Sequence, residues 1–291
     1  MSAICRIASV WPAWNGVGWY QVDTSVSRIS IAGVTLLRTD EIDRFHNEGF
    51  LVVDRPILNA VQIQRLRNLI LPLFATLDRL PEEWVHDLGT PSPEGTSSIH
   101  EVIFTAEVEP RIRLTSAYRS IRAVAAELIG APATLSFDHA ILKPAHSTAI
   151  TPWHQDLAFN AEDQAKVNFW VPLVDITPEI GCIRYIPGSH RADLLNHVSR
   201  GQDALQALDV NEVDEVMCPV PVGGFTVHGQ RTLHSTGANL TDADRPTWTV
   251  KFKADDRSRA QQLSARTRTL LRAARRALRA PGGSEETADH S

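Results

Sequence analysis

The sequence predicts an α+β fold in which helices pack on one face of a β-sheet. Two observations support this prediction. Helical periodicity dominates the chain from about residue 39 to residue 130, and short β-like runs separated by turn residues follow from residue 133 to residue 252. Several short strands with such punctuation are typical of a sandwich or a barrel. The order of the two parts therefore favours a sandwich or barrel covered by helices.

The composition is that of an ordinary globular protein. The 291 residues are 43% hydrophobic and 22% charged, which excludes a disordered tail, a collagen and a coiled-coil rod. The net charge of −5 argues against a surface built for nucleic acid or anionic membrane. No apolar run reaches the roughly 18 residues of a spanning helix, and the N-terminus lacks a signal-peptide pattern. Three cysteines without a CxxC pair fit a reducing compartment, so we expect a cytoplasmic protein.

The first elements are helical. An acidic start after Thr39 predicts a short helix that ends near Gly49, and the apolar run 50–53 predicts a strand. Asn59 is expected to cap a second helix, whose apolar residues recur every three or four positions through Leu77.

A long irregular loop and a third helix are expected next. Residues 79–100 contain three prolines and two glycines, which is typical of a loop that covers a functional site. The third helix is predicted to run from about Arg111 to Ile129 and to stop at Gly130.

The β-rich part contains seven runs, each bounded by proline or glycine turn signals. They are residues 133–143, 149–156, 167–174, 182–186, 224–228, 232–235 and 247–252.

We divide the chain into three parts: an N-terminal extension (1–38), a main domain (39–256) and an Arg-rich C-terminal helix with a tail (257–291). Residues 257–279 hold eight arginines and no acid. We expect leucines of this helix, such as Leu270 and Leu271, to pack on the domain. The alternative is a patch for nucleic acid or membrane.

The triplet His154-Gln155-Asp156 is the first candidate for metal binding. On a strand, residues i and i+2 point the same way, about 6.6 Å apart. Two such side chains can converge on one ion with bonds near 2.1 Å. We expect residues 151–159 to enter a strand, so that His154 and Asp156 can bind the same ion. A lone His-x-Asp triplet also arises by chance, so a third ligand is needed.

The stretch VHGQRTLHSTGAN, residues 227–239, offers that third ligand. Two histidines and one carboxylate on one face of an ion are typical of non-haem Fe(II) oxygenases. On the residues alone, either His228 or His234 completes the set.

Arg245 is a candidate anion-binding residue. It lies eleven residues after His234, at the entrance of a predicted strand. A fixed guanidinium is a good bidentate partner for a carboxylate, and Thr236 could add a hydroxyl to the same oxygens. The alternative is a surface ion pair of Arg245 with Asp242 or Asp244.

Five segments in order resemble the phytanoyl-CoA dioxygenase family, and the resemblance covers about residues 39–254. They are DEIDRFHNEGFLVV at 40–53, WHQD at 153–156, NFWVPL at 168–173, GCIRYIPGSHR at 181–191 and HSTGAN…R at 234–245.

The resemblance implies a double-stranded β-helix, a jelly-roll and cupin-like fold with flanking α-helices, in the part 39–256. It implies Fe(II) as the metal cofactor, 2-oxoglutarate as cosubstrate and O2 as the oxidant. The residues it assigns are His154, Asp156 and His234 as iron ligands, Arg245, Thr236 and Trp170 at 2-oxoglutarate, and Gln155 towards the substrate.

Two further residues have a structural expectation. His228 is expected to be a packed or hydrogen-bonded strand residue rather than a ligand. Lys143 is expected to be a solvated residue at a strand end.

The implied reaction is hydroxylation of an aliphatic C–H bond of a small-molecule metabolite, as in secondary metabolism, with release of succinate and CO2. Related halogenases have Gly or Ala at the position of Asp156, so the carboxylate here favours hydroxylation. Alternatives are desaturation, cyclisation or epimerisation at the same iron, a Zn(II) hydrolase, or a non-catalytic jelly-roll binding protein. We expect a monomer or homodimer that binds neither nucleic acid nor membrane.

Overall fold

The structure is a computed structural model that describes residues 35–89, 91–92, 95–96, 98–159, 166–200, 204–257, 264–265, 267–272 and 274. Nearly all of the predicted N-terminal extension lies outside these residues. No helix within the described ranges is both long enough and apolar enough to span a bilayer.

Four α-helices precede most of the strands: α1 (Thr39–Glu48), α2 (Ala60–Phe74), α3 (Thr105–Val108) and α4 (Ser116–Ile129). The predicted cap is confirmed, because the Asn59 side chain accepts from the Gln62 N–H. The predicted third helix is interrupted. Pro110–Leu114 forms a 3-10 helix, and the Thr115 side chain then caps α4. Both a proline and a capping threonine favour a new helix start there.

Fifteen strands are present in the described residues. They are β1 (Phe50–Val53), β2 (Val85–Asp87), β3 (Pro91–Ser92), β4 (Gly95–Thr96), β5 (His100–Ile103), β6 (Ala133–Lys143), β7 (Thr151–His154), β8 (Lys166–Pro172), β9 (Ile183–Tyr185), β10 (His197–Ser199), β11 (Leu205–Ala207), β12 (Val216–Cys218), β13 (Phe225–Gly229), β14 (His234–Thr236) and β15 (Arg245–Ala254).

Two antiparallel sheets face each other. The larger has seven strands in the order β1-β13-β8-β15-β6-β5-β2, and the smaller has four in the order β12-β9-β14-β7. Strands that alternate between the two sheets, with helices on the outer face of the larger one, confirm the predicted α+β double-stranded β-helix.

The predicted irregular loop 79–100 is partly regular. Its strand β2 pairs with β5 at the edge of the larger sheet. A three-residue polar strand has too little alternation to be read from the sequence, which explains the error.

Strand β15 illustrates how the larger sheet is used on both faces. Trp248, Val250 and Phe252 point outwards into the main hydrophobic core, which helices α2 and α4 complete. The alternate residues, including Arg245 and Lys251, point inwards between the sheets, because strand side chains alternate. The inner face therefore carries the polar residues.

The described residues beyond 263 are helical, as the Arg-rich pattern predicts. Leu270 and Leu271 are 56% and 55% exposed, so the expectation that they pack on the domain is wrong. The Arg272 guanidinium donates to the Glu107 carboxylate.

Candidate metal centre and anion site

Three side chains converge between the two sheets. One ligand atom from each of His154, Asp156 and His234 lies within 4.8 Å of the other two. His154 and His234 are opposite one another on β7 and β14. The sequence could not decide between His228 and His234, and the resemblance selected the residue that the structure brings into this cluster.

The path of the chain at Asp156 differs from the prediction. Strand β7 ends at His154, and Asp156 opens a 3-10 helix, Asp156–Phe159. The expected i, i+2 geometry of a strand is therefore wrong in detail. The turn brings the Asp156 carboxylate back to the cluster, and residues 157–159 continue the 3-10 helix instead of a strand.

Backbone carbonyls fix the orientation of both histidine rings. His154 Nδ1 is 2.9 Å from the Pro152 carbonyl oxygen, and His234 Nδ1 is 2.9 Å from the Thr232 carbonyl oxygen. A carbonyl only accepts, so each Nδ1 must carry the proton. Each Nε2 is then the basic nitrogen, which is the tautomer that a metal ligand requires.

Asp156 is held by three side chains of the larger sheet. Its Oδ2 accepts from the Asn168 amide at 2.8 Å and from His228 Nε2 at 3.2 Å. Its Oδ1 accepts from the Lys251 ammonium at 2.9 Å. His228 is thus a buried hydrogen-bonding residue, as expected, and Tyr185 Oη lies 2.9 Å from its Nδ1.

The protonation states in this cluster suit a divalent cation. Burial would raise the pKa of Asp156, but the charge of Lys251 and the hydrogen bond from His228 lower it well below its ordinary value. Burial lowers the pKa of His154 and places that of His234 well below its ordinary value. A charged carboxylate and two neutral imidazoles are the forms that bind metal. This donor set fits Fe(II), since two histidines and one carboxylate leave positions open for other ligands.

A second polar site lies next to the cluster. Arg245 is 1% exposed, its guanidinium donates to the Gly181 carbonyl at 2.6 Å, and its Nε has no hydrogen-bond partner. The expected alternative, a surface ion pair with Asp242 or Asp244, is wrong because Arg245 is buried. Burial lowers the pKa of Arg245 to about 10. Its guanidinium lies 5.3 Å from the centre of the Trp170 ring.

Lys143 lies opposite Arg245 across the β6–β15 ladder. It is 0% exposed, so the expectation of a solvated strand-end lysine is wrong. Its ammonium donates to the Thr236 hydroxyl at 3.3 Å and to the Gly237 carbonyl. Burial, together with the charge of Arg245, lowers the pKa of Lys143 to about 6.

These two basic groups form a site that suits an anion. Within the described part of the chain, no carboxylate forms an ion pair with Arg245 or Lys143. A buried and unpaired charge costs several kcal/mol, which is why the pKa of each group is lowered, and a carboxylate bound between them would favour their charged forms. A dicarboxylate that reaches from the metal cluster to Arg245 would supply this carboxylate.

Gln155 is bound within the protein. Its side-chain amide donates to the Arg231 carbonyl at 2.7 Å and accepts from the Leu195 N–H at 2.9 Å, and the residue is 0% exposed. Because both ends of the amide are used and the residue is buried, these contacts do not support the expected substrate contact.

Sequence reasoning missed Asn168 and Lys251, which hold Asp156. The alternation of side chains along a strand could have identified both residues. Asn168 is two residues from Trp170 on β8, and Lys251 is six residues from Arg245 on β15, so each shares the inner face with a predicted site residue.

Comparison with known proteins identifies a family that matches most of the chain. The family model described as phytanoyl-CoA dioxygenase (PhyH) matches residues 45–247. "Phytanoyl-CoA dioxygenase domain-containing protein 1" of Danio rerio is 31% identical over 134 residues, which are 42% of this chain and 45% of that protein. The chain thus matches about half the length of this curated relative.

Two solved structures share the fold. EvdO2 from Micromonospora carbonacea var. aurantiaca, complexed with 2-oxoglutarate, has a TM-score of 0.62 at 26% identity and covers 76% of this chain and 93% of its own. The epimerase SnoN, complexed with Fe3+, alpha-ketoglutarate and nogalamycin RO, has a TM-score of 0.60 at 24% identity and covers 74% of this chain and 82% of its own.

The matched region spans more than half of the sequence and includes the three-residue cluster, Lys143 and Arg245. The chain belongs to the phytanoyl-CoA dioxygenase family.

Proposed function

We propose that this protein is an Fe(II)- and 2-oxoglutarate-dependent oxygenase that hydroxylates an aliphatic C–H bond of a small-molecule metabolite. The observation that carries the proposal is a pair of buried basic side chains, Arg245 and Lys143, with no carboxylate partner among the described residues, beside a cluster of two histidines and one carboxylate. The family membership supports the same reaction class.

In this proposal, His154, Asp156 and His234 hold the iron through two Nε2 atoms and one carboxylate oxygen. Arg245 and Lys143 bind the far carboxylate of 2-oxoglutarate. The Thr236 hydroxyl contacts the same carboxylate, and the Trp170 ring forms a wall of its pocket. These groups fix the cosubstrate and exclude water from the site.

When bound, the ferrous ion would supply O2 activation, which couples decarboxylation of 2-oxoglutarate to succinate and CO2 with transfer of one oxygen atom to the substrate. The protein's contribution is position and charge. Asp156 fills a coordination position that related halogenases leave open for a halide, so hydroxylation is favoured. Desaturation, cyclisation and epimerisation use the same residues and differ in the pose of the substrate.

The test is succinate formation by the purified protein with Fe(II), 2-oxoglutarate and O2 during a screen of metabolites. We expect succinate that depends on all three components, and a loss of at least about 100-fold in Asp156→Ala, since loss of the carboxylate ligand weakens metal binding. Turnover of a metabolite without O2 and without succinate formation would indicate the Zn(II) hydrolase. Absence of succinate with every metabolite would favour a binding protein, and normal turnover in Asp156→Ala would contradict the ligand set.

A further inference from the structure

Lys251 lies on the inner face of β15, beside the metal cluster. Its ammonium is 2.9 Å from Asp156 Oδ1, and its side chain is 16% exposed. On the sheet it lies between Phe137 of β6 and Asn168 of β8. The predicted reaction does not use this residue.

Lys251 and a metal ion would compete for the same oxygen of Asp156, because the two cations repel each other. Asn168 and His228 occupy its Oδ2, so Oδ1 is the oxygen that Lys251 now contacts and that a metal would share. Two unit positive charges about 4 Å apart repel by about 4 kcal/mol at the effective dielectric near a protein surface, and a divalent ion repels more. The flexible lysine stem allows the ammonium to move away from Asp156 while it stays on this wall.

The charges around the cluster leave Lys251 uncompensated once the site is loaded. Asp156 and the chelating carboxylate of 2-oxoglutarate together balance a divalent ion. The far carboxylate is taken by Arg245. The other buried acid on this side, Glu101, is already hydrogen-bonded to His86 at 2.9 Å and to His139. A further anion beside the metal would balance Lys251.

Aromatic rings connect Lys251 with the surface. Its ammonium lies 5.8 Å from the Phe137 ring centre. Phe137 contacts Phe104 edge-on at 5.3 Å, and Phe104 contacts Trp84 at 5.7 Å. Phe104 is 36% exposed, so this row of rings reaches solvent. The apolar part of a substrate would pack along this row of rings.

We propose that Lys251 anchors an anionic oxygen group of the primary substrate, a carboxylate or a phosphate, whose apolar body lies along Phe137 and Phe104. This inference rests on the proposed function, because it requires the loaded metal site. Lys251 is then a specificity-determining residue that selects acidic substrates and repels amines.

The experiment has two stages, so that failure of the proposed function is recognised first. In the first stage, calorimetry under nitrogen measures binding of 2-oxoglutarate to the wild-type protein with and without Fe(II). If 2-oxoglutarate does not bind in an Fe(II)-dependent way, the proposed function fails and the inference falls with it.

In the second stage, the protein saturated with Fe(II) and 2-oxoglutarate is titrated under nitrogen with benzoate, phenylphosphonate and benzamide, which share one ring and differ in charge. We expect at least one acid to bind about tenfold or more tightly than the neutral amide. Whether benzoate or phenylphosphonate binds better separates a carboxylate substrate from a phosphate substrate.

Variants assign this preference to Lys251. Lys251→Met should lose the preference for the acid, and Lys251→Arg should keep it. Lys253→Met is the matched control, because it removes the next lysine of the same strand, and the preference should persist. Equal binding of all three probes, binding of none, or an acid preference that persists in Lys251→Met would overturn the proposal.

Discussion

Arg245 and Lys143 are buried side by side, and this pairing determines the properties of the anion site. Neither group has a carboxylate partner among the described residues, and one nitrogen of Arg245 lacks any hydrogen-bond partner. Burial of these two basic groups lowers the free energy of unfolding, whereas the same groups would favour binding of a carboxylate. Substitution of Arg245 tests the effect on binding, and substitution of Lys143 tests the effect on stability.

Arg245→Ala should raise the dissociation constant of 2-oxoglutarate by at least about 30-fold, since loss of one partner of a buried charge pair costs about 2 kcal/mol or more. Calorimetry under nitrogen measures this constant. Arg257→Ala is the control, because Arg257 pairs with Asp255 instead. An unchanged constant in Arg245→Ala would remove this residue from the site.

Lys143 should make the stability of the cosubstrate-free protein depend on pH. Its pKa falls from 10.5 to about 6 on folding. Between these values the unfolded chain binds the extra proton, so the free energy of unfolding rises with pH, by at most about 1.4 kcal/mol per unit. Urea unfolding at pH 7, 8 and 9 measures the slope. Lys143→Met should flatten it, whereas Lys253→Met should not, and equal slopes in the two variants would refute this assignment.

Residue positions were predictable from the sequence where a motif fixed them. His154, Asp156 and His234 converge and Arg245 is buried, whereas their roles as ligands and as the 2-oxoglutarate site stay predictions. Lys143 and Gln155 show one shared difficulty, which is that one sequence position does not reveal burial. Lys143 is the last residue of β6 and Gln155 follows the end of β7, where solvent exposure was expected, yet both are 0% exposed.

At the scale of elements, turns position the site more than strands do. The turn at Gly181 illustrates this. Gly181 has φ +83°, and a Cβ there would lie 2.5 Å from the Gly237 carbonyl oxygen. The Gly181 carbonyl in turn accepts the hydrogen bond of Arg245. Only glycine allows this close approach, so the turn carries the anion site.

Gly181→Ala should lower the free energy of unfolding by about 2 kcal/mol or more and should also weaken 2-oxoglutarate binding, because the displaced carbonyl releases Arg245. Gly188→Ala is a matched control. Gly188 has a similar φ of +74° but nothing within 4 Å of the added Cβ. It should cost only about 1–2 kcal/mol of backbone strain and leave binding unchanged. The same loss of binding in both variants would contradict this explanation.

Element type was predictable, and element ends were less so. The predicted strand 133–143 agrees with β6 at both ends, since proline and glycine flank it. The strand predicted through Asp156 ends two residues early, because the carboxylate is held by side chains of the other sheet. Short strands such as β10 to β12 have too few residues for alternation to be recognised.

At the scale of the whole molecule, the metal cluster joins the two sheets. His154 and His234 belong to the smaller sheet, whereas Asn168, His228 and Lys251 of the larger sheet hold Asp156. The jelly-roll fold was implied by the resemblance, and periodicity alone gave only a sandwich or barrel. Which residues face one another across the gap depends on long-range pairing, which no local pattern contains.

A metal ion that bridges the sheets should stabilise the folded protein. At a free-ion concentration 100 times the dissociation constant, the gain is about 2.7 kcal/mol. Thermal unfolding under nitrogen with Fe(II) should therefore show a higher midpoint than without it, and a chelator should reverse the shift. Asp156→Ala should show a smaller shift, because only the two histidine ligands remain. A shift of equal size in that variant would mean that the ion binds elsewhere.

The carbonyl contacts of the two ligand histidines have a consequence for sequence drift. Main-chain atoms of Pro152 and Thr232 aim the rings, and the intervening side chains, Trp153 and Leu233, turn away into a separate apolar cluster with Ala207. Substitutions in that buried cluster can therefore change its packing while the main-chain contacts keep the orientation of both imidazoles. Homologous proteins could therefore differ in this apolar cluster and keep the same orientation of the two histidine rings.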